Sequence, residues 1–140
     1  MKTFFVDANA FLRFFLNDIP KQKKEFESLL NQAKESKVKW MGPQIVIFEI
    51  NFILQKYYEF QKEDIIDKLQ TIVEAPYLQI SEVDVLRASL KLYSKSNLSL
   101  TDCFIYCSAE NSNAELFTFD KKLKRLHIAE ALQYRPKTES

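Results

Sequence analysis

Short apolar runs along this chain alternate with longer stretches of helical spacing. Residues 3–6, TFFV, predict a short buried strand, and 9–16 predict a helix. Pro20 suits the first turn of the next helix, where Phe26, Leu29, Leu30 and Ala33 mark one apolar face along 21–35. VKWM at 38–41 predicts a second strand. Gly42 and Pro43 end it and open a long helix over 43–58. Ile65, Ile66, Leu69, Ile72 and Val73 mark a helix over 62–74, closed by Pro76, and YLQI at 77–80 predicts a third strand. Ser81 with Asp84, and Ser99 with Asp102, have the spacing of capping boxes for helices over 82–95 and 100–112. Asn113 suits a left-handed helix stop. ELFTF at 115–119 predicts a fourth strand, KKLKRL at 121–126 a short helix, and a weak last strand is expected near 127–129.

Strands that alternate with helices imply an α/β fold with a central parallel sheet. The sequence contains no repeat, linker or low-complexity stretch, so one domain is expected over 1–135, followed by a polar tail at 136–140. Ligands of such sheets bind at the carboxyl ends of the strands. Asp7 stands at the end of the first strand, where an apolar segment has no packing reason to carry a carboxylate.

Composition narrows the choice. With 140 residues, 46% of them hydrophobic and 28% charged, the chain can build a core without disulfide or metal staples. Its one glycine, Gly42, excludes glycine-rich phosphate loops. Twenty basic residues against 19 acidic give a net charge of +1, so nucleic acid would have to be held by a local basic patch or through metal ions. No apolar run reaches the length of a membrane span. Asp7 and Arg13 interrupt the apolar N-terminus and make it a poor signal peptide, which leaves the cytosol as the expected location. Cys103 and Cys107 lie one helical turn apart, and with His127 they do not have zinc-site spacing. They read as small core residues in a reducing compartment.

Four carboxylates carry the candidate chemistry. Asp7 and Asp120 each follow a predicted strand, and either could be a helix N-cap and nothing more. Asp102 belongs to a capping box and suits the positive end of its helix. Glu49 lies in IVIFEINFIL. If Gln44, Asn51, Gln55 and Glu59 mark the solvent stripe, roughly 100° per residue places Glu49 about 120° from its centre, in an apolar sector. A partly buried carboxylate needs a partner, and Lys56 is the bland one. In a parallel sheet all four could converge at the carboxyl edge. Such a cluster repels itself unless cations or protons occupy it, and oxygen-only donors favour Mg²⁺ or Mn²⁺ over zinc.

The ordered set FFVDANAFLRFFLND at 4–18, FEI around Glu49, LTDCFIYCSAE at 100–110 and LFTFDKKL at 116–123 resembles the PIN-domain ribonucleases, and more closely the VapC-like toxins of prokaryotic toxin–antitoxin pairs. The resemblance implies a three-layer α/β/α sandwich with a central parallel sheet and an acidic pocket. It implies that Asp7, Glu49, Asp102 and Asp120 are metal-binding, catalytic acids and that Asn9 and Thr118 support the pocket. The implied activity is Mg²⁺- or Mn²⁺-dependent endoribonuclease cleavage of RNA phosphodiesters. Asn113 stands where the family pattern leads one to expect glycine. Lys121 and Lys122 follow Asp120 in place of the extra acid some relatives carry, which puts a tightly held second metal in doubt.

Lys121 and Lys122, with Lys124 and Arg125, are also the candidate basic patch for substrate; Lys21, Lys23 and Lys24 read as a solvated helix face. The resemblance further implies a small antitoxin partner and a homodimer; the sequence itself shows no membrane span and no evident DNA-binding segment, so no membrane association and no DNA binding by this chain alone are expected. Phe11, Phe14, Phe15, Phe52, Tyr57 and Tyr58 could offer docking surface, although core packing explains most aromatics as well. Two rivals remain: a non-catalytic PIN-like module for protein interaction or RNA binding, and a phosphoacceptor signalling domain. The second would show an acidic pair after the first strand, where FFVDAN offers one acid.

Overall fold

The computed structural model describes residues 1–126. The chain runs β1 (Lys2–Phe5), α1 (Ala8–Leu16), α2 (Pro20–Lys34), β2 (Val38–Gly42), α3 (Ile45–Lys56), α4 (Lys62–Val73), β3 (Leu78–Ile80), α5 (Val83–Ser94) and α6 (Leu100–Asn111). A short helix, α7, covers 121–126. The expected strand near 127–129 and the tail at 136–140 lie outside the described residues.

The three strands pair in parallel in the order β1-β2-β3, with Phe4 beside Trp40 and Trp40 beside Leu78. Parallel neighbours require crossovers, and α1–α2 and α3–α4 supply them. Strand alternation sends Val38, Trp40 and Gly42 into the core, whereas Lys39 is exposed. Trp40, 1% exposed, is the hub of that face. The Phe26 ring meets it edge-on at 5.2 Å and the Phe11 ring at 6.1 Å, so α1 and α2 are fastened to β2 by aromatic contact.

Local chemistry sets the helix ends. Pro20 occupies the first turn of α2, where its missing N–H costs nothing. Asn17 closes α1 with φ 56°, a left-handed conformation asparagine tolerates. After α6 the Ala114 amide reaches back to the Ala109 carbonyl at 2.9 Å and the Asn113 amide to the Glu110 carbonyl at 3.2 Å. With φ 53° at Asn113 this is a Schellman stop, as the sequence suggests.

Four expectations need correction. Residues 115–119 form no strand: Phe117 and Phe119 are 85% and 83% exposed and contact each other at 5.4 Å. With that segment unpaired, β1 lies at an edge of the described sheet and is not the buried strand expected: Phe5 is 74% exposed. Ser81 does not cap α5. Its hydroxyl donates to the Gln44 side-chain oxygen at 2.7 Å, and Glu82 occupies the cap position with φ 54°. Asp84 instead accepts from Arg87 at 2.8 Å. Finally, the buried stripe of α3 is Val46, Ile47, Ile50, Asn51 and Leu54, which turns Glu49 to solvent. Asn51 can be buried because the Tyr93 hydroxyl donates to its side-chain oxygen at 3.2 Å.

Candidate active site

The sheet edge and the N-terminal end of α6 place the candidate acids. Asp7 follows β1 and caps α1: its Oδ1 accepts from the Ala10 amide at 3.0 Å. Asp120 does the same for α7, accepting from the Leu123 amide at 3.0 Å. Both capping explanations are therefore realised, but a cap uses one carboxylate oxygen and leaves the other for a cation or a water. The Thr118 hydroxyl accepts from the Asp120 amide at 3.0 Å and so fixes the turn that presents Asp120.

Asp102 sits in the first turn of α6. Its amide donates to the Ser99 hydroxyl at 3.1 Å, the capping contact expected from the sequence, and its half-buried carboxylate faces a cleft. Asn97, Leu98, Ser99, Asp102, Phe119, Asp120, Lys121 and Lys122 line this cleft of 620 Å³. Asp102 and Asp120 thus come together there with the two lysines.

Asp7 and Glu49 do not line that cleft. Glu49 is exposed on α3, and Lys56, its suggested partner, instead lies 5.3 Å from the Phe52 ring and 5.9 Å from the Tyr57 ring. Asn9 borders a separate groove between α1 and α2, beside Arg13 and Phe26. Among the described residues no three Asp, Glu, His or Cys side chains group closely enough to hold a metal ion.

The donor set still fits a hard divalent ion. Mg²⁺ keeps several waters and commonly takes only one or two protein carboxylates, with substrate phosphate completing its shell. Asp102 and Asp120 would hold it, and bringing two carboxylates to one cleft is favourable only where a cation or the neighbouring lysines offset their repulsion. Cys103 does not line the cleft: its thiol is fully buried, and burial pushes its pKa up, against a smaller opposing effect of its contact with Ser96. A larger groove of 770 Å³ beside Phe5, Met41 and Arg87 offers no free acid, because Glu74 there is bound twice by Arg87, at 2.6 and 2.9 Å.

Asn97 and Ser99 form part of the cleft wall, a role that the sequence pattern does not reveal. Asn97 has no signal beyond its place before α6, and Ser99 signals only its cap.

The structure is thus a parallel α/β domain that presents aspartates at the ends of its elements. The PIN domain pattern matches residues 4–128, and the chain belongs to the PIN domain family. Its fold is accordingly the PIN-like α/β/α class. The chain is also similar to a VapC ribonuclease of Aquifex aeolicus (strain VF5), 25% identical over 113 residues that span 80% of this chain and 84% of the relative. No solved structure matches the chain. No helix among the described residues is long and apolar enough to cross a membrane.

Proposed function

We propose that the protein is a metal-dependent endoribonuclease acting as the toxin of a toxin–antitoxin pair. The observation that carries this reading is the meeting of Asp102 and Asp120 in one cleft flanked by Lys121 and Lys122, in a chain of the PIN family. A related VapC ribonuclease supports RNA as the substrate. Bound Mg²⁺ or Mn²⁺ would supply charge stabilisation to the transition state and acidify a water nucleophile.

The chain's own residues do the rest. Asp102 and Asp120 would hold the ion, and Asp7 and Glu49 are assigned as the further acids of the site. Thr118 orients Asp120 by fixing its backbone amide, and Asn9 is assigned the same kind of supporting role at the start of α1. Lys121 and Lys122 attract the RNA backbone and screen the acids from it.

A small antitoxin and a second copy of the chain are the partners in this reading. The exposed aromatic end of α3 and the residues after it, Phe52, Tyr57 and Tyr58, are the surface assigned to partners.

A second reading, an RNA-binding or protein-interaction module without catalysis, is favoured by one observation: the four acids are not gathered at one point. Incubation of the purified protein with a mixed RNA pool in Mg²⁺, Mn²⁺ or EDTA separates the two. Cleavage that requires metal and disappears in Asp102→Asn supports the nuclease. RNA retention without cleavage, unaffected by EDTA, supports the module.

A further inference from the structure

We propose that Lys62 is a positioning residue for the candidate site: it anchors the loop between α5 and α6 and thereby sets Asp102. This rests on the nuclease reading above.

Lys62 is the first residue of α4, where the helix dipole disfavours a cation. Its charge is directed elsewhere. The half-buried side chain donates from Nζ to the Ser96 carbonyl at 2.8 Å, and the ammonium lies 4.4 Å from the centre of the Tyr93 ring. Ser96 follows the carboxyl end of α5, where unpaired carbonyls carry partial negative charge. An ammonium there meets a partly buried carbonyl and the negative face of a buried aromatic ring.

From Ser96 the contacts run directly into the cleft. The Ser96 hydroxyl accepts from the Leu98 amide at 3.3 Å and lies 3.8 Å from the Cys103 sulfur. Leu98 is buried, and Asn97, Leu98 and Ser99 form a wall of the cleft. Ser99 then binds the amide of Asp102. Ser96, held by Lys62, and Ser99, the helix cap, are thus the two fixed points of the segment that aims the Asp102 carboxylate. Tyr93 extends the arrangement to α3 through Asn51, two residues from Glu49. Lys62 therefore bears on the spacing of two candidate acids without touching either.

The test compares Lys62→Met, which keeps the apolar stem but loses the donors, with Lys62→Arg, which keeps a cation and donors. Lys68→Met is the control, because Lys68 on the same helix also lies over an aromatic ring, Phe60 at 5.1 Å, but not against the loop. Two quantities are read: Mn²⁺ affinity by calorimetry and amide hydrogen exchange over 97–103. Lys62→Met is expected to weaken Mn²⁺ binding about ten-fold, the lower end of what indirect supports of a metal site contribute. It is also expected to speed exchange in the loop, with Lys62→Arg restoring both and Lys68→Met changing neither. Unchanged Mn²⁺ affinity in Lys62→Met, or an equal loss in Lys68→Met, overturns the positioning role. If the parent protein binds no Mn²⁺ at all, the reading of the site fails. Exchange then still judges the anchor alone, and protection over 97–103 that Lys62→Met leaves unchanged overturns it.

Discussion

The Tyr93 hydroxyl donates to the Asn51 side-chain oxygen at 3.2 Å, a hydrogen bond between α5 and α3 inside the core. It lets Asn51 be buried alongside Val46, Ile47, Ile50 and Leu54, the apolar stripe that leaves Glu49 on the solvent side of α3. Tyr93→Phe leaves the buried amide oxygen of Asn51 without its donor. The expected cost is about 1–3 kcal/mol, read as a lower urea midpoint. Asn51→Leu combined with Tyr93→Phe removes both partners and is expected to recover most of that loss, because the interaction belongs to the pair.

That bond also explains what the sequence concealed. The helices and the first three strands were legible because their apolar spacing and end residues agree, as at Pro20, Ser99 and Asn113. Asn51 misled, since an amide reads as solvent-facing until a partner 42 residues away in the chain is known. Ser81 misled likewise: its hydroxyl had a local capping target and took a distant one, Gln44. The apolar alternation of ELFTF signals a strand, but a strand also needs a neighbour, and Phe117 and Phe119 remain at the surface. Of the candidate acids, the capping contacts at Asp7, Asp102 and Asp120 were legible. Their spatial grouping depends on strand pairing and was not.

Asp7 and Asp120 each combine a cap with a proposed chemical role, and the two can be separated. Asparagine caps as well as aspartate but carries no charge. Asp7→Asn and Asp120→Asn are expected to keep the parent's thermal midpoint while abolishing metal-dependent RNA cleavage. Asp7→Ala is expected to lose about 1 kcal/mol of stability in addition, because the Ala10 amide loses its acceptor. Full cleavage by Asp7→Asn would remove Asp7 from the mechanism.

Glu49 gives a cleaner case, since its side chain is exposed and makes no ion pair among the described residues. Glu49→Gln is expected to change stability by less than about 0.5 kcal/mol, as surface substitutions generally do. Cleavage is nonetheless expected to fall at least ten-fold, on the order of the loss that a removed metal-site group causes. Parallel urea titration and RNA cleavage decide it, and unchanged turnover would reduce Glu49 to a solvated surface residue.

Burial raises the pKa of the Cys103 thiol above its ordinary value. The folded state then keeps a proton that the unfolded chain releases. The stabilisation is complete below the unfolded thiol value, about 8.5, and is lost as pH rises from there towards the folded pKa. Tyr93, raised chiefly by burial as well, adds the same sign of dependence at higher pH. Urea midpoints are therefore expected to fall on the alkaline side, and Cys103→Ala is expected to flatten the earlier part of that fall. An alkaline limb identical in Cys103→Ala would show that Cys103 is not its source.

Lys121 and Lys122 border the same cleft as Asp102 and Asp120, and their proposed role is to attract substrate through charge at short range. Each lysine that neutralises a phosphate of single-stranded RNA contributes a slope of about −0.7 to the logarithmic dependence of binding on salt. Lys121→Gln with Lys122→Gln is therefore expected to weaken RNA binding and make the salt slope shallower by about 1.4, because two phosphates keep their counterions. The effect is expected in KM, with kcat little altered, because attraction to the backbone is present equally in ground and transition states. The same double variant should leave Mn²⁺ affinity equal or higher, since two positive charges beside the acids are gone. A large fall in kcat at constant KM would mean that the lysines act on the developing charge of the transition state, and their assignment would move from holding the substrate to catalysis itself.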